Sequence, residues 1–396
     1  MSRVGTIARG IRTGVIKEGD NLTDITVNSV LEAAREEGFK LQDRDVIAIT
    51  EAVVGISMGN YCTVDDIALD MNRKFKGKHL GIVYPILSRN RFAVLLSAFA
   101  RSMDKITMVL SYPSDEVGND ILDRDRLREL DIPLSNYVMS EKEYTEKFGD
   151  WRHVFTGVNM VDFYRNLCKN ENCEIEFVFS NNPEVILNYT DEVLCADIHT
   201  RSETKRILKA KGAKTVLGLD DIMTASVSGS GFNTKFGLLG SNRATEEKVK
   251  LFPDNAQRLV EDVQAKIKEK TGVLVEVMVY GDGAFKDPVG KIWELADPVV
   301  SPFYTSGLEG SPNELKLKYL SDNKFSSLKG EELNNAIKEA IREKESNLKG
   351  KIETQGTTPR RYTDLIGSLC DLVSGSGDKG TPVVLIQNYF KNYSED

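Results

Sequence analysis

Residues 226–288 contain the turns and side chains of this sequence that are best suited to chemistry. The stretch opens on SVSGSGFNTKFGLLGSN at 226–242, a region rich in glycine and small hydroxyl residues. It closes on VEVMVYGDGAFKDP, in which an apolar strand delivers Asp282 between two glycines. Backbone amides in such a turn can bind an anion, and a strand-end carboxylate can bind a metal ion or a proton. Because glycine-rich turns are common, two surface turns that flank a helix are the alternative interpretation.

The composition favours a large folded protein that acts on a small-molecule substrate. The chain has 396 residues, of which 40% are hydrophobic, so two or three domains are expected. Its formal net charge is -8 and its pI is about 5.3. These values argue against bulk nucleic-acid binding, which needs a concentrated basic face. A local basic pocket for a phosphorylated or carboxylated metabolite is compatible with them.

The cysteines and the N-terminus predict a cytoplasmic protein. Five cysteines are scattered along the chain, which is typical of reduced thiols rather than of a disulfide framework. They are Cys62, Cys168, Cys173, Cys195 and Cys370. The N-terminus lacks the apolar core of a signal peptide, and no run of about 18 apolar residues predicts a transmembrane helix. We therefore expect no membrane partner.

Alternating helices and strands would position the candidate residues. The pattern predicts helices at 27–38, 63–75, 88–103, 252–272 and 329–350, and buried strands at 43–55, 79–87 and 105–119. The first helix is expected to be capped by Thr23 or Asp24 and to end at Gly38. Arg89 and Arg91 fall at a helix start, where positive charge opposes the helix dipole. They are expected to meet an anion or an acidic neighbour, or else to be solvated.

Residues 112–222 differ in their sequence pattern from the segment that precedes them. Short apolar strands are predicted at 173–180, 192–199 and 213–219, with a helix at 202–212. This β-α-β order predicts a small parallel-sheet subdomain. His199 ends one of these strands, where it is either catalytic or simply packed and hydrogen-bonded.

Several other segments follow one another in an order that points to a known family. They are VIKEGDNL (15–22), DRDVIAIT (43–50) with Gly59 beyond it, GLLGSN (237–242), QRLVEDVQAKIKEKTG (257–272), the strand that ends in Asp282, and DLVSGSGDKGTPVVLI (371–386). In order and approximate spacing they resemble the coenzyme F-420 gamma-glutamyl ligase family. The resemblance implies an α+β, mixed α/β fold with a mixed-sheet core of the gamma-glutamyl ligase type. That core would comprise residues 1–111 and 223–396, with 112–222 as an inserted small parallel α/β subdomain.

The resemblance also implies a chemistry. Enzymes of this family add glutamate through an amide bond to a carboxylate of the deazaflavin precursor. They use GTP and a divalent metal ion, Mg or Mn here, and the carboxylate is taken to be activated as an acyl phosphate. Metal ions and amide donors are needed to neutralise the phosphates that such a step brings together. A homodimer with the site near the subunit boundary is implied as well.

Position by position, the resemblance assigns Asp282 to the metal ion. The positions that it assigns to the nucleotide are Thr13, Gly14, Val15, Ile16, Ser241, Asn242 and Arg360. Other positions depart from the family pattern. Leu239 replaces an aspartate, and Gly283 replaces a threonine. The family's Ser/Thr pair and its lysine fall on Glu51, Ala52 and Ile56, and its C-terminal glutamate falls near Pro359 or Arg360.

The lost carboxylates and lysine would have to be replaced by other groups. A buried phosphate without a countercharge costs several kcal/mol or more. The candidates for compensation are Asp220, Asp221, Lys235, Lys286, Arg360 and Arg361. Arg360 and Arg361 stand just before a predicted helix, where an anion would also find free amides. Two solvated arginines are the alternative.

Three functions are compatible with this sequence. The retained segments predict an amide-bond ligase that joins an amino acid, such as L-glutamate, to the carboxylate of a small metabolite. The replaced positions favour the alternative of a non-catalytic or differently acting metabolite- or nucleotide-binding protein on the same scaffold. A third hypothesis is a scaffold or regulatory protein that docks through the charged helix at 329–350, although most such helices are solvated surface.

Overall fold

The computed structural model of this chain describes residues 4–89, 91–153, 156–282, 299–355, 360–374 and 378–395. The chain divides into two compact units. The terminal unit consists of Met1–Ser57 and Asn255–Asp396, and the middle unit consists of Met58–Asp254. Each unit has its own sheet and its own buried core.

The helices and strands are numbered along the chain. The first part of the terminal unit contains β1 (Ile7–Ile11), α1 (Leu22–Glu37), β2 (Val46–Thr50) and α2 (Glu51–Ser57). The middle unit contains β3 (Tyr61–Thr63), α3 (Val64–Lys74), β4 (His79–Val83), α4 (Phe92–Ser102), β5 (Lys105–Leu110), α5 (Arg124–Glu129), β6 (Val138–Ser140), α6 (Glu141–Phe148), α7 (Met160–Asn170), β7 (Glu174–Ser180), β8 (Glu192–Cys195), α8 (Arg201–Ala210), β9 (Thr215–Gly218), β10 (Asn242–Arg243) and β11 (Lys248–Lys250). The second part of the terminal unit contains α9 (Gln257–Thr271), β12 (Glu276–Asp282), β13 (Val299–Tyr304), α10 (Leu317–Tyr319), α11 (Gly330–Arg342), α12 (Tyr362–Ser374) and β14 (Val383–Gln387).

A five-stranded mixed sheet forms the centre of the terminal unit, in the order β1-β14-β2-β12-β13. β2 and β12 are parallel, with Thr50 opposite Tyr280, and the other neighbouring pairs are antiparallel. This register brings the C-terminal ends of β1, β2 and β12 to the same edge as the N-terminal ends of β13 and β14. We use the name β12 edge for the side of the sheet at which these strand ends lie.

Helices cover both faces of this sheet, which explains why its central strands are almost entirely apolar. On one face, α1 and α9 pack against alternate strand residues, with Val263 of α9 in the same core as Val277. On the other face, Ile366 of α12 shares a core with Met278. Neighbouring residues of β12 therefore point into opposite layers, as the two-residue period of a strand requires.

A six-stranded sheet forms the centre of the middle unit, in the order β6-β7-β5-β4-β8-β9. Strands β7, β5, β4, β8 and β9 are parallel, and β6 is an antiparallel edge strand. Leu208 of α8 packs on one face of the sheet in a core with Val83 and Val193. On the other face, Tyr144 of α6 stacks on Phe179 at a ring distance of 4.2 Å. A separate three-stranded antiparallel sheet has the order β10-β11-β3.

The structure confirms the coarse prediction of a mixed α/β fold and corrects several element bounds. The predicted strand at 43–55 ends at Thr50, and the apolar residues that follow form α2. Periodicity could not separate the two, because both elements are apolar and short. The cap of α1 is Asn21, whose side chain accepts the Asp24 amide, rather than Thr23 or Asp24. The charged helix predicted at 329–350 is the shorter α11.

The three predicted segments, 1–111, 112–222 and 223–396, differ from the two compact units, which divide after Ser57 and after Asp254. The parallel strands predicted within 112–222 do form, as β7, β8 and β9. They belong to one sheet with β4 and β5, which precede position 112. Among the described helices, none is long and apolar enough to cross a membrane.

Candidate functional site

Glu51 and Gly281 form the centre of the β12 edge. Glu51 directly follows β2, and only 3% of its surface is exposed. Its side chain lies against Gly281, because a Cβ atom built on that glycine would stand 2.1 Å from Cγ of Glu51. The absence of a side chain at position 281 therefore leaves the space that the Glu51 side chain occupies.

Asp282, the predicted metal ligand, is the last residue of β12. Its backbone pairs with Val299 at the start of β13, and its side chain lies outside the described part of the structure. Because β2 and β12 are parallel neighbours with Thr50 opposite Tyr280, Glu51 is level with Gly281, and Asp282 is the next residue along β12. The backbone thus brings two acidic residues to one stretch of the β12 edge.

The predicted nucleotide-contacting turn, residues 13–16, lies beyond β1 in the terminal unit. The Thr13 amide donates to the Gly380 carbonyl at 3.3 Å. Val15 is 89% exposed, and nothing lies within 4 Å of a Cβ atom built on Gly14. Ile16 is buried in the core that α1 and α9 form with the sheet. Ile16 therefore has a packing role, whereas the other three positions present surface that a ligand can contact.

Residues 378–382, which precede β14, tie this turn to the strand ends. The Thr50 amide donates to the Pro382 carbonyl at 2.9 Å. The Thr381 hydroxyl donates to the carbonyl of Ser374, the last residue of α12. The turn at 13–16, the junction of β2 with α2, and the C-terminal end of α12 are therefore linked by hydrogen bonds at the β12 edge.

Arg360 and Arg361 precede α12 in the terminal unit. Arg360 is 6% exposed, so the alternative of a solvated arginine does not hold for it. Arg361 donates to the Tyr304 hydroxyl at 2.7 Å and is half-buried.

The glycine-rich turn at 226–242 belongs to the middle unit. Its amides are largely used within the fold: Gly231 donates to Tyr61, Gly237 to Asn233, and Leu238 to Leu219, all at backbone carbonyl oxygens. A Cβ atom on Gly231 would stand 2.7 Å from the Tyr61 amide nitrogen. These glycines therefore allow close packing of backbone on backbone, and the three amides are not available to an anion.

Ser241 and Asn242, the other predicted nucleotide contacts, also lie in the middle unit. Ser241 is 3% exposed, and its amide donates to the Leu238 carbonyl at 3.3 Å. Asn242 is half-buried and begins β10, where it pairs with Lys250. Asp282 belongs to the terminal unit, so the expectation that it faces this turn stays a prediction.

A family model for F420-0:Gamma-glutamyl ligase matches residues 10–388. The chain belongs to this family. The match covers nearly the whole chain, including all of the middle unit, and it confirms the resemblance that the sequence segments indicated. No curated protein matches the chain. The gamma-glutamyl ligase family indicates an amide-bond ligase as the class of activity.

A gamma-glutamyl ligase that uses a divalent metal ion would need acidic ligands. Among the described residues, no group of three or more His, Cys, Asp and Glu side chains could hold a metal ion. The β12 edge supplies Glu51 and, next to it in the sheet, the position of Asp282. Mg²⁺ is commonly bound through one or two carboxylates together with substrate phosphates. Glu51 therefore offers one buried carboxylate at this edge, and a metal ion there would take its other ligands from Asp282, whose side chain lies outside the described part of the structure, from a nucleotide and from water.

Two of the positions that depart from the family pattern have packing roles. Leu239 is 1% exposed, and its amide donates to the Phe236 carbonyl at 2.8 Å. Ile56 packs against the core that lies between the sheet of the terminal unit and α1 and α9. An apolar side chain at either position provides neither a metal ligand nor a countercharge for phosphate.

The residues proposed to compensate for these losses fall into three groups. Asp220 and Asp221 are bound within the middle unit, since both accept from Lys205 at 2.8 and 2.6 Å. Lys235 lies 5.0 Å from the ring centre of Phe236. Lys286, like Gly283 and Pro359, lies outside the described residues. Arg360 and Arg361 are therefore the candidates of this set that the terminal unit is seen to contain.

Sequence reasoning missed the position of Glu51 beside β12, since it counted this residue only as a departure from the family's hydroxyl pair. Only the register between β2 and β12 shows that this carboxylate lies beside the strand end that carries Asp282. The available signal was a single acidic residue within the apolar run VIAITEAVVG. A charged side chain that is buried in such a run needs a specific reason.

Proposed function

We propose that this protein is a nucleotide- and metal-dependent amide-bond ligase that adds an amino acid, L-glutamate, to the carboxylate of a small metabolite. The observation that carries the proposal is the family match together with the β12 edge. There, Glu51 directly follows β2, Asp282 ends the neighbouring parallel strand β12, and Gly14 and Val15 are exposed residues of the same unit.

The proposed reaction has two steps. A carboxylate oxygen of the acceptor attacks the γ-phosphorus of GTP, the bond to the β–γ bridging oxygen breaks, and GDP leaves. The uncharged amine of L-glutamate then attacks the acyl carbon of the acyl phosphate, and the bond to the phosphate oxygen breaks. Inorganic phosphate leaves, and the amine loses a proton to solvent. Both steps depend on positioning and on charge neutralisation more than on covalent help from the protein.

In this proposal the chain's own residues bind and orient the reactants. Glu51 and Asp282 hold Mg or Mn, which would supply positive charge to the nucleotide phosphates. Thr13, Gly14 and Val15 contact the nucleotide through backbone and side-chain surface. The proposal further assigns nucleotide contacts to three residues, Ser241, Asn242 and Arg360. Arg360 would supply the countercharge that the family's replaced lysine provides elsewhere.

The direct test of the proposal is isothermal titration of the full-length protein with GTP, ATP and GDP, each with magnesium or manganese. We expect GTP binding that depends on the metal ion. Asp282→Asn and Glu51→Gln should each weaken it about tenfold or more, since each removes one charged ligand. Glu276→Gln is the matched control, because Glu276 is a buried carboxylate at the opposite end of β12.

Turnover is measured as GDP release in the presence of L-glutamate and a panel of small carboxylic acids. Release that requires both co-substrates supports the ligase. If none of the nucleotides binds to protein that circular dichroism shows to be folded, the ligase proposal is wrong.

A non-catalytic or differently acting binding protein on the same scaffold is the second candidate. The observation that favours it is the packing role of Leu239 and Ile56, at positions where the family has charged side chains. This candidate predicts nucleotide or metabolite binding without GDP release, and unchanged affinity in Asp282→Asn. A large loss of metal-dependent affinity in that variant would count against it.

We also propose that the protein is a cytoplasmic homodimer, as the family resemblance implies. Light scattering coupled to gel filtration at several protein concentrations tests the oligomeric state. A mass of 44.2 kDa at all concentrations would be that of a monomer and would exclude the dimer.

A further inference from the structure

The parallel sheet of the middle unit has a switch point, where the order in which the chain adds strands reverses. A crevice is expected at such a point. β4 and β8 are adjacent and parallel, but β4 leads to β5 on one side and β8 leads to β9 on the other. In open parallel sheets, ligands bind outside the C-terminal ends of the two strands that flank such a switch point. The residues that leave these two strand ends here are Tyr84, directly after β4, and Asp197, two residues after β8.

Asp197 is fully buried, with 0% of its surface exposed. One of its carboxylate oxygens, Oδ2, accepts the hydroxyl protons of Thr200 at 2.7 Å and Thr204 at 2.6 Å. The other oxygen, Oδ1, is buried and has no hydrogen-bond partner among the described residues. A buried carboxylate oxygen without a donor is unfavourable, so this atom points to a group that the protein itself does not supply.

Tyr84 provides a second and independent sign of a ligand. Its hydroxyl is also buried and has no partner among the residues that the structure describes. Burial raises the pKa of Tyr84, and the negative charge of Asp197 raises it further. The backbone of Tyr84 has a φ of 55°, a conformation that bulky residues rarely adopt and that is concentrated at functional sites.

A strap formed by residues 114–120 fastens the loops that follow β4 and β8. Asp115 organises it by accepting the Val117 amide at 3.0 Å, and it also accepts the Leu87 amide of the loop after β4 at 2.8 Å. Glu116 reaches to the loop after β8, where it accepts the amides of Ile198 and His199. The strap therefore joins both loops that flank the switch point, and Glu116 makes its hydrogen bonds to the loop after β8.

The charge of the crevice selects the kind of ligand. Asp197 and Glu116 are both acidic, and the negative charge of Asp197 raises the pKa of Glu116. Arg201 also acts on Asp197, but its guanidinium is bonded to Asp220 at 2.9 Å. No group of three or more metal-binding side chains is found among the described residues. An anion would be repelled.

We propose that this crevice binds the ammonium group of a small primary amine, with Oδ1 of Asp197 and Oη of Tyr84 as acceptors. An ammonium group has three N–H donors and a positive charge, which match one unpaired carboxylate oxygen and one unpaired phenol oxygen. The strap at 114–120 is hydrogen-bonded to the loops on both sides of this site. This site is independent of the proposed ligase activity.

The test uses titration calorimetry and saturation-transfer NMR on the full-length protein at pH 7.5. The probes are ethanolamine, putrescine and L-alanine, and ethylene glycol is the uncharged match for ethanolamine. We expect at least one amine to bind saturably and ethylene glycol not to bind. Asp197→Asn should weaken binding about tenfold or more, because it removes the charge while keeping the shape of the side chain. Tyr84→Phe should weaken it by a smaller factor.

The matched control is Glu192→Gln. Glu192 is a buried carboxylate at the other end of β8, where it accepts the Gly77 amide at 2.7 Å. Its substitution should leave amine binding unchanged. The proposal fails if no amine binds to folded wild-type protein, if ethylene glycol binds as well as ethanolamine, or if the Asp197→Asn and Glu192→Gln variants bind equally. Should Asp197→Asn not fold, equal binding by Tyr84→Phe and wild-type protein overturns the proposal.

Discussion

The β12 edge and the switch-point crevice are both made of parallel strand ends, yet they differ in exposure. At the β12 edge, Val15 is 89% exposed and Gly14 has open space around it. In the crevice, Asp197 is 0% exposed and the strap at 114–120 is fastened to both flanking loops. A site for a nucleotide and an acceptor has to admit large substrates, whereas a closed crevice can only take a small one.

The two regions also differ in how their acidic residues are accommodated. Gly281, on the neighbouring strand, leaves the space that the Glu51 side chain occupies. Asp197 is held by two threonine hydroxyls, which satisfy one carboxylate oxygen and leave the other without a donor. The first arrangement gives room for a carboxylate at a strand end, and the second desolvates a carboxylate strongly. Burial of an acid can therefore reflect either close packing or an unfilled binding requirement.

The largest expected effect is the change in the free energy of unfolding with pH that Glu116 causes. Burial raises the pKa of Glu116 to about 7, with the charge of Asp197 as a further cause. The folded pKa is above the unfolded one, so the stabilising contribution is complete below the unfolded value of about 4.3 and is lost as pH rises through about 7. Between these limits, the free energy of unfolding should fall by about 3 kcal/mol because of this group.

Urea denaturation of wild-type protein and Glu116→Gln at pH 5 and pH 8 checks this prediction. The variant should lose most of the pH dependence that Glu116 causes. Asp197 and Asp115 have pKa values that burial also raises, so a smaller dependence of the same sign should remain. If the free energy of unfolding of the variant changes between pH 5 and pH 8 as much as that of wild-type protein, Glu116 does not titrate as we expect.

The second effect concerns Gly281 at the β12 edge. A Cβ atom there would overlap Cγ of Glu51, so Gly281→Ala should destabilise the protein by about 1–3 kcal/mol, as overpacking usually does. It should also weaken metal-dependent nucleotide binding, because Glu51 has to move. In the double variant Gly281→Ala, Glu51→Ala, the overlap with Cγ is removed and a contact of 2.9 Å with Cβ of residue 51 remains, so part of the lost stability should return. Denaturant titration of the four proteins measures this as a coupling energy. Strictly additive effects would contradict the contact.

The sequence was sufficient to predict those parts of the fold that depend on local pattern. Helix α3 lies within the predicted helix at 63–75, and Thr63 and Asp66 form a capping box at its start. The rhythm of β7, β8 and β9 was predicted as well, because each strand is a short apolar run between polar turns. Such signals lie within a few residues of one another, so they can be recognised without knowledge of the tertiary structure.

The candidate sites depend on long-range register, which local pattern does not contain. Glu51 meets Gly281 only because β2 and β12 are paired across more than two hundred residues of sequence. Similarly, the switch point exists because β8 pairs with β4 rather than with β7, the strand that precedes it in sequence. The glycines at 226–242 show the same limit of local pattern: Gly231 and Gly237 allow close backbone packing and their amides donate within the fold, which their sequence does not reveal.

The smallest effect on stability is expected at the exposed turn, where Val15→Asp separates a binding role from a structural one. Val15 is 89% exposed, so its substitution should change the free energy of unfolding by less than about 0.5 kcal/mol. A carboxylate at this position would repel nucleotide phosphates, so GTP affinity should fall about fivefold, and less at high salt. Val15→Ser controls for loss of the apolar side chain without added charge. Equal GTP affinity of Val15→Asp and wild-type protein would place the nucleotide away from this turn.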